Sequence, residues 1–158
     1  MQIKDAKDEI KRADHLIYVS LKYTRTCDII LNIFKRLIAA YDSAILASLE
    51  KSKDQGKTDF IPESKMLRAE SLYRLKRKFK EYLDLYFFMR KVVVSDFGRR
   101  EEYRKHVTML CHITAEEVVE IDVPQVMEYF EKTKEFINEV EEFVQWLIMW
   151  EFYPEKEE

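Results

Sequence analysis

The stretch Ile30-Leu-Asn-Ile-Phe-Lys-Arg-Leu-Ile-Ala-Ala-Tyr-Asp-Ser-Ala-Ile-Leu-Ala-Ser-Leu49 decides the fold. Ile30, Ile33, Phe34, Leu37, Ile38, Tyr41, Ala44, Ile45 and Leu49 recur at helical spacing, so one face of a long helix carries them all. A strand needs alternation of period two, which the run lacks. A helix with so continuous an apolar face must bury it against other helices.

Working outward, the preceding residues supply one such neighbour. Ile3, Ala6, Ile10, Ala13, Ile17, Ser20 and Thr24 form one stripe, predicting a first helix over 4–22. Only Tyr23-Thr24-Arg25-Thr26 separates it from the second, so the two must lie antiparallel or nearly continuous. Beyond Leu49, the polar segment Lys51–Asp59, with Gly56 as its flexible point, reads as the longest loop, and Pro62-Glu63 suits the first turn of the next helix. A third helix is predicted over 63–94, with Leu67, Leu72, Leu75, Phe79, Tyr82, Leu83 and Tyr86 inward.

Ser95-Asp96-Phe97-Gly98 breaks that pattern, and a short fourth helix is predicted from Arg99 or Arg100 to Cys111. Val118–Asp122 has strand character, but a lone strand has no partner, so it reads as an extended connection. Asp122 with Gln125 three residues on, and Pro124 between them, marks the start of a last helix reaching Trp150. Its stripe is Val126, Met127, Phe130, Ile137, Val140, Val144 and Leu147. With two glycines and three prolines in 158 residues, the expectation is an all-α, single-domain antiparallel helical bundle spanning 1–158: four long helices plus one short.

Composition narrows the functional classes. Cys27 and Cys111 stand far apart outside any CxxC pattern, which predicts reduced cysteines packed in a core. The charged N-terminus lacks the apolar run of a signal peptide, and no apolar segment has the length of a membrane span; a soluble, cytoplasmic protein without membrane association is expected. Charged residues make up 36%, and Asn32 and Asn138 are the only asparagines, a composition that leans thermophilic. His15, His106 and His112 are not at metal-ligand spacing, so no metal is expected; His15, beside the first stripe, is expected to be half-buried. No glycine-rich loop exists to cradle a nucleotide phosphate, and no cofactor is expected.

Charge is unevenly spread. Residues 64–106 hold 13 Lys or Arg against 6 acids, whereas 115–158 hold 3 against 14. Side-by-side packing of the basic third helix on the acidic last one is the favoured account, with a phosphate-binding face built from Arg74, Lys76, Arg77, Lys78, Lys80 and the Arg99–His106 cluster as the alternative. Arg99-Arg-Glu-Glu-Tyr-Arg-Lys-His106 has a stronger claim to chemistry, because cations at a helix start oppose the helix dipole. Arginine grips phosphate through two hydrogen bonds, and histidine exchanges a proton near neutral pH. Arg99, Arg104 and Lys105 are candidate RNA-binding residues, and Arg100 with His106 the candidate catalytic pair.

Ala6-Lys-Asp-Glu-Ile-Lys-Arg-Ala-Asp-His15, with Tyr41 and Ala44 in the second helix, resembles the first hairpin of HEPN-superfamily domains. Arg100-Glu-Glu-Tyr-Arg-Lys-His106 fits that superfamily's loose R-x4-6-H motif, and Phe130–Trp146 looks like its final helix. The chain departs from the pattern at Glu101 and at Val107-Thr108. The resemblance implies a helical bundle that often dimerises, with Arg100 and His106 lining a cleft that binds or cuts RNA without a metal. In such a cleft histidine would help activate a ribose 2′-hydroxyl or protonate the leaving oxygen, and arginine would stabilise the charged phosphorane. Some members of the superfamily only bind, so enzyme status stays open.

The other reading is a non-catalytic adaptor. Trp146, Met149, Trp150 and Phe152 cannot all face one core stripe, which predicts apolar surface for a second copy or a protein partner, with a cap over the end of the helices as the alternative.

Overall fold

The computed structural model describes residues 2–152. Helix α1 (Gln2–His15) runs into a π-helical turn (Leu16–Leu21) and a last α-turn, α2 (Lys22–Thr24). Helix α3 (Cys27–Asp54) follows; α4 (Lys65–Leu75), a 3-10 turn (Arg77–Phe79) and α5 (Lys80–Val94) replace the single predicted third helix. Strands β1 (Asp96–Arg100), β2 (Thr108–His112) and β3 (Val118–Asp122) precede the closing helix α6 (Val123–Phe152). Among the described residues no helix is long and apolar enough to cross a membrane.

The chain is therefore mostly helical but not all-α. The predicted short helix at Arg99–Cys111 does not form: its ends are strands, and Val118–Asp122 supplies the partner a lone strand lacks. The antiparallel sheet has the order β1-β2-β3, with Phe97 opposite Cys111 opposite Val119 and Arg99 opposite Met109 opposite Ile121. Paired residues share a face, so Met109, Cys111 and Ile121, all fully buried, dock the sheet on the helices. Arg100, His112, Val118 and Glu120 lie on the other face and are exposed.

The quoted α3 stripe is the centre of the core, buried from Ile30 to Leu49. Tyr41 stacks on Phe136 at 4.5 Å and tilts against Tyr86 at 5.4 Å, tying α3 to α6 and α5 through rings. Helices α3 and α6 run the same way, since Phe34 meets Tyr129, Tyr41 meets Phe136 and Lys51 meets Glu151. Helix α5 runs opposite to α6, with Lys78 on Glu139 and Tyr82 on Glu135. This direction follows from the sheet, which spends residues 96–122 at one end of the molecule and so restarts α6 where α5 stops.

Two breaks depart from the predicted helices. Within α1 to α2, Ile17 is inward as the stripe predicted, but Leu21 then takes the inward face in place of Ser20 and Thr24, because the π turn shifts register. At Lys76 the backbone leaves the helix (φ −140, ψ 87); Phe79 then packs edge-on against Phe136 and Phe143, and the Lys76 ammonium sits 5.1 Å from the Phe143 ring centre. Leu67, predicted inward, is 49% exposed, and His15 is exposed rather than half-buried. The start of α6 matches expectation: Gln125 N–H donates to Asp122 Oδ1 at 3.0 Å and Asp122 N–H to Gln125 Oε1 at 3.2 Å, a reciprocal cap.

Candidate cationic cleft

The site starts from a backbone irregularity. Arg25 adopts the left-handed conformation (φ 49, ψ 57), costly for a side chain with a Cβ, and thereby ends α2 and reverses the chain into α3. Thr26 caps α3, its hydroxyl accepting from Ile29 N–H. The Arg25 carbonyl accepts from Tyr103 N–H at 2.8 Å, which fastens the β1–β2 loop onto this break. The loop has two further left-handed residues, Glu101 (φ 53) and Tyr103 (φ 66).

A second set of bonds fixes the same junction. Cys27 N–H donates to Glu102 Oε2 at 3.0 Å, and the Cys27 thiol donates to the Thr108 carbonyl at 3.4 Å. Burial first, then the Glu102 carboxylate, pushes the Cys27 thiol up to about 11, so this cysteine is a structural donor and not a thiolate. Cys111 is likewise buried and free, its thiol raised by burial.

These anchors bring four separate segments around a cleft of 370 Å³. Ile17 and Leu21 from the π turn, with Val123, Pro124 and Met127 from α6, make an apolar floor and walls; Lys22, Arg25, Lys105 and His106 bring the charge, with Tyr18 beside them. Among the described residues no carboxylate lines it. Among the described residues Lys22, Arg25 and Lys105 form no ion pair, whereas Arg99 and Arg100 nearby do. The result is a concave, positive pocket with an apolar floor, which favours an anion with flat or apolar parts.

The sequence candidates separate on this framework. Lys105 and His106 line the cleft. Arg99 does not: it grips Asp28 with both terminal nitrogens, at 2.8 and 2.9 Å, and reaches Glu102 at 3.2 Å. Arg100, on the outward sheet face, donates to Glu120 at 2.8 Å. Each arginine holds its carboxylate partner below the usual range, Asp28 by the Arg99 hydrogen bonds and Glu120 by those of Arg100. Arg104 is exposed in the loop and lies outside the cleft lining. With no helix at Arg99–Cys111, the helix-dipole argument for these cations falls away.

Lys22 and Arg25 carry no local signal of a site, since they stand some 80 residues before their cleft partners; the polar Thr24-Arg25-Thr26 between two apolar stripes marks only a helix break. Of the predicted interface residues, Trp146, Met149 and Phe152 are exposed, while Trp150 is half-buried and stacks on Trp146 at 5.6 Å. They lie at the far end of α6 from the cleft. Among the described residues no group of three or more His, Cys, Asp or Glu is placed to hold a metal ion.

No protein-family model, curated protein or solved structure matches this chain.

Proposed function

We propose that this protein binds single-stranded RNA through the cationic cleft, as a HEPN-like helical module. The observation that supports this best is the convergence of Lys22, Arg25, Lys105 and His106 on one apolar-floored cleft with no lining carboxylate. Three cations lining one concavity offer contacts for backbone phosphates, and Tyr18 with Met127 offers a surface on which a base rests. In this reading Arg25, rather than Arg100, shares the cleft with His106, because Arg100 is committed to Glu120. His106 is then the residue type in the cleft able to move a proton between a ribose hydroxyl and a leaving oxygen, and the cations offset charge on the phosphorane.

The test is fluorescence anisotropy with a labelled single-stranded oligoribonucleotide over a salt series. Wild-type protein binds with a slope of about −0.7 in log affinity against log salt for each phosphate neutralised. Arg25→Ala and Lys105→Ala weaken binding and flatten that slope, and Arg100→Ala changes neither. Any cleavage seen with wild type is lost in His106→Ala while binding is largely kept. Salt-insensitive or absent RNA binding by wild type removes the proposal.

A second reading rests on the exposed far end of α6, where Trp146 is 47%, Met149 60% and Phe152 73% exposed. This surface supports self-association through apolar contact, the adaptor function foreseen from the aromatic C-terminal sequence. Light scattering at micromolar concentration gives twice the chain mass if it holds, and Trp150→Glu returns the mass toward that of one chain. A single-chain mass at high concentration rejects it.

A further inference from the structure

Helices α4 and α5 diverge from the break at Lys76 and leave between them a groove of 820 Å³, well apart from the cationic cleft in residues. Its walls are apolar, from Met66 and Tyr73 on α4 and Phe87 and Val94 on α5, with Val94 83% exposed. Three cations reach it, Arg74, Arg90 and Lys91, against a single carboxylate, Glu70, which lies 3.9 Å from Arg74.

Arg90 is the member held in place. It is half-buried, and no salt bridge among the described residues includes it. Here one terminal nitrogen donates to the Tyr86 hydroxyl at 3.0 Å, and the guanidinium lies 5.6 Å from that ring's centre. Tyr86 in turn donates to Asp42, whose other oxygen faces Lys65 at 3.7 Å. The relay holds Arg90 in position through a neutral hydroxyl and leaves its positive charge without an ion-pair partner among the described residues. Lys91 is exposed and likewise forms no ion pair there.

We infer that the α4–α5 groove is a binding site for a small anionic amphiphile: a free carboxylate with an acyl or aromatic body. The body lies along Met66, Tyr73, Phe87 and Val94, and the carboxylate meets Arg90 with Lys91. Charge decides the occupant, since the groove's cations exceed its carboxylates and the opposite sign of ligand would leave Arg90 unpaired beside another cation. The volume falls within the usual range of about 300–1,000 Å³ for small-ligand sites.

The methionines make the test site-specific, because Met66 lines this groove and Met127 lines the cationic cleft. Protein carrying ¹³C-methyl methionine is titrated with dodecanoate below its micelle concentration and observed by NMR. The expected result is saturable movement of the Met66 methyl with Met127 still, and weaker binding of dodecyltrimethylammonium. Arg90→Gln weakens dodecanoate by about tenfold, the size expected for one charge-assisted bond. Val94→Glu, at an exposed position that leaves the core untouched, repels the carboxylate and abolishes the shift. Equal binding of both amphiphiles, a still Met66 methyl, or wild-type affinity in both variants overturns the assignment, whatever RNA does at Met127.

Discussion

The outward face of the small sheet and the cleft beside it use the same residue types and end in different charge states, paired on the sheet and unpaired in the cleft. On the sheet, Arg100 lies on Glu120, and at its edge Arg99 is clamped by Asp28 and Glu102. In the cleft, Lys22, Arg25 and Lys105 meet no carboxylate among the described residues. The richest cationic run in the sequence therefore contributes least free charge at its start and most at its end. Strand pairing draws Arg100 to Glu120 across β2, whereas the left-handed turns of the loop carry Lys105 and His106 past the sheet toward Arg25. Density of charge along a chain does not locate a site; the fold decides which cations keep an empty side.

The largest effect expected breaks this comparison at its support. Met109 is fully buried under the sheet, and Met109→Ala should cost about 2–5 kcal/mol in urea unfolding. Because the cleft depends on the loop between β1 and β2, RNA affinity should fall with stability; unchanged affinity in a loosened variant would show that the loop is held by the Tyr103 and Glu102 bonds alone.

Next in size is the direct contrast of the two arginine sets. Lys22→Ala combined with Arg25→Ala and Lys105→Ala should remove salt-sensitive RNA binding, each cation taking about 0.7 from the salt slope. Arg99→Ala with Arg100→Ala removes nearly as much formal charge and should leave that slope in place. Equal losses from both sets would mean that net charge, not the cleft, governs binding.

How much of this could be read from the chain follows from the range of the interactions. The α3 stripe and the Asp122–Gln125 cap are local patterns, and both appear as expected. The sheet is not local: β1, Asp96-Phe-Gly-Arg-Arg100, sends only Phe97 and Arg99 to the inner face, so alternation hardly shows, and its Arg-rich end imitates a helix start. Met109 and Cys111 opposite Val119 and Ile121 were the available signal, a weak one over five-residue strands. That His106 and Arg25 line one cleft is less legible still, because it rests on a left-handed arginine that no propensity favours.

Glu102 joins the two regions, binding Arg99 on one side and Cys27 N–H on the other. Glu102→Gln keeps an acceptor for that N–H but removes the charge, so the loss should be about 1 kcal/mol by urea melts. The Cys27 thiol, raised partly by Glu102, should then ionise at lower pH, which thiol titration in the folded state checks.

The smallest effect separates the paired arginines from the free cations by pH alone. Asp28 and Glu120 are depressed by their arginine partners, so each binds its proton less readily folded than unfolded. A depressed carboxylate contributes stability above its unfolded value, and that contribution disappears as pH falls through the folded one. Wild-type stability should therefore decline from about pH 4 downward in part through these pairs. Both partners are solvent-exposed, so the change is slight and salt should shrink it further. Arg99→Ala with Arg100→Ala should flatten this acid limb, while Lys22→Ala with Lys105→Ala, which breaks no ion pair, should leave it as in wild type. Denaturant midpoints between pH 5 and 2 measure the difference, and an acid limb unchanged by loss of both arginines would mean that the two pairs hold nothing in solution and that the sheet face is as free to bind anions as the cleft.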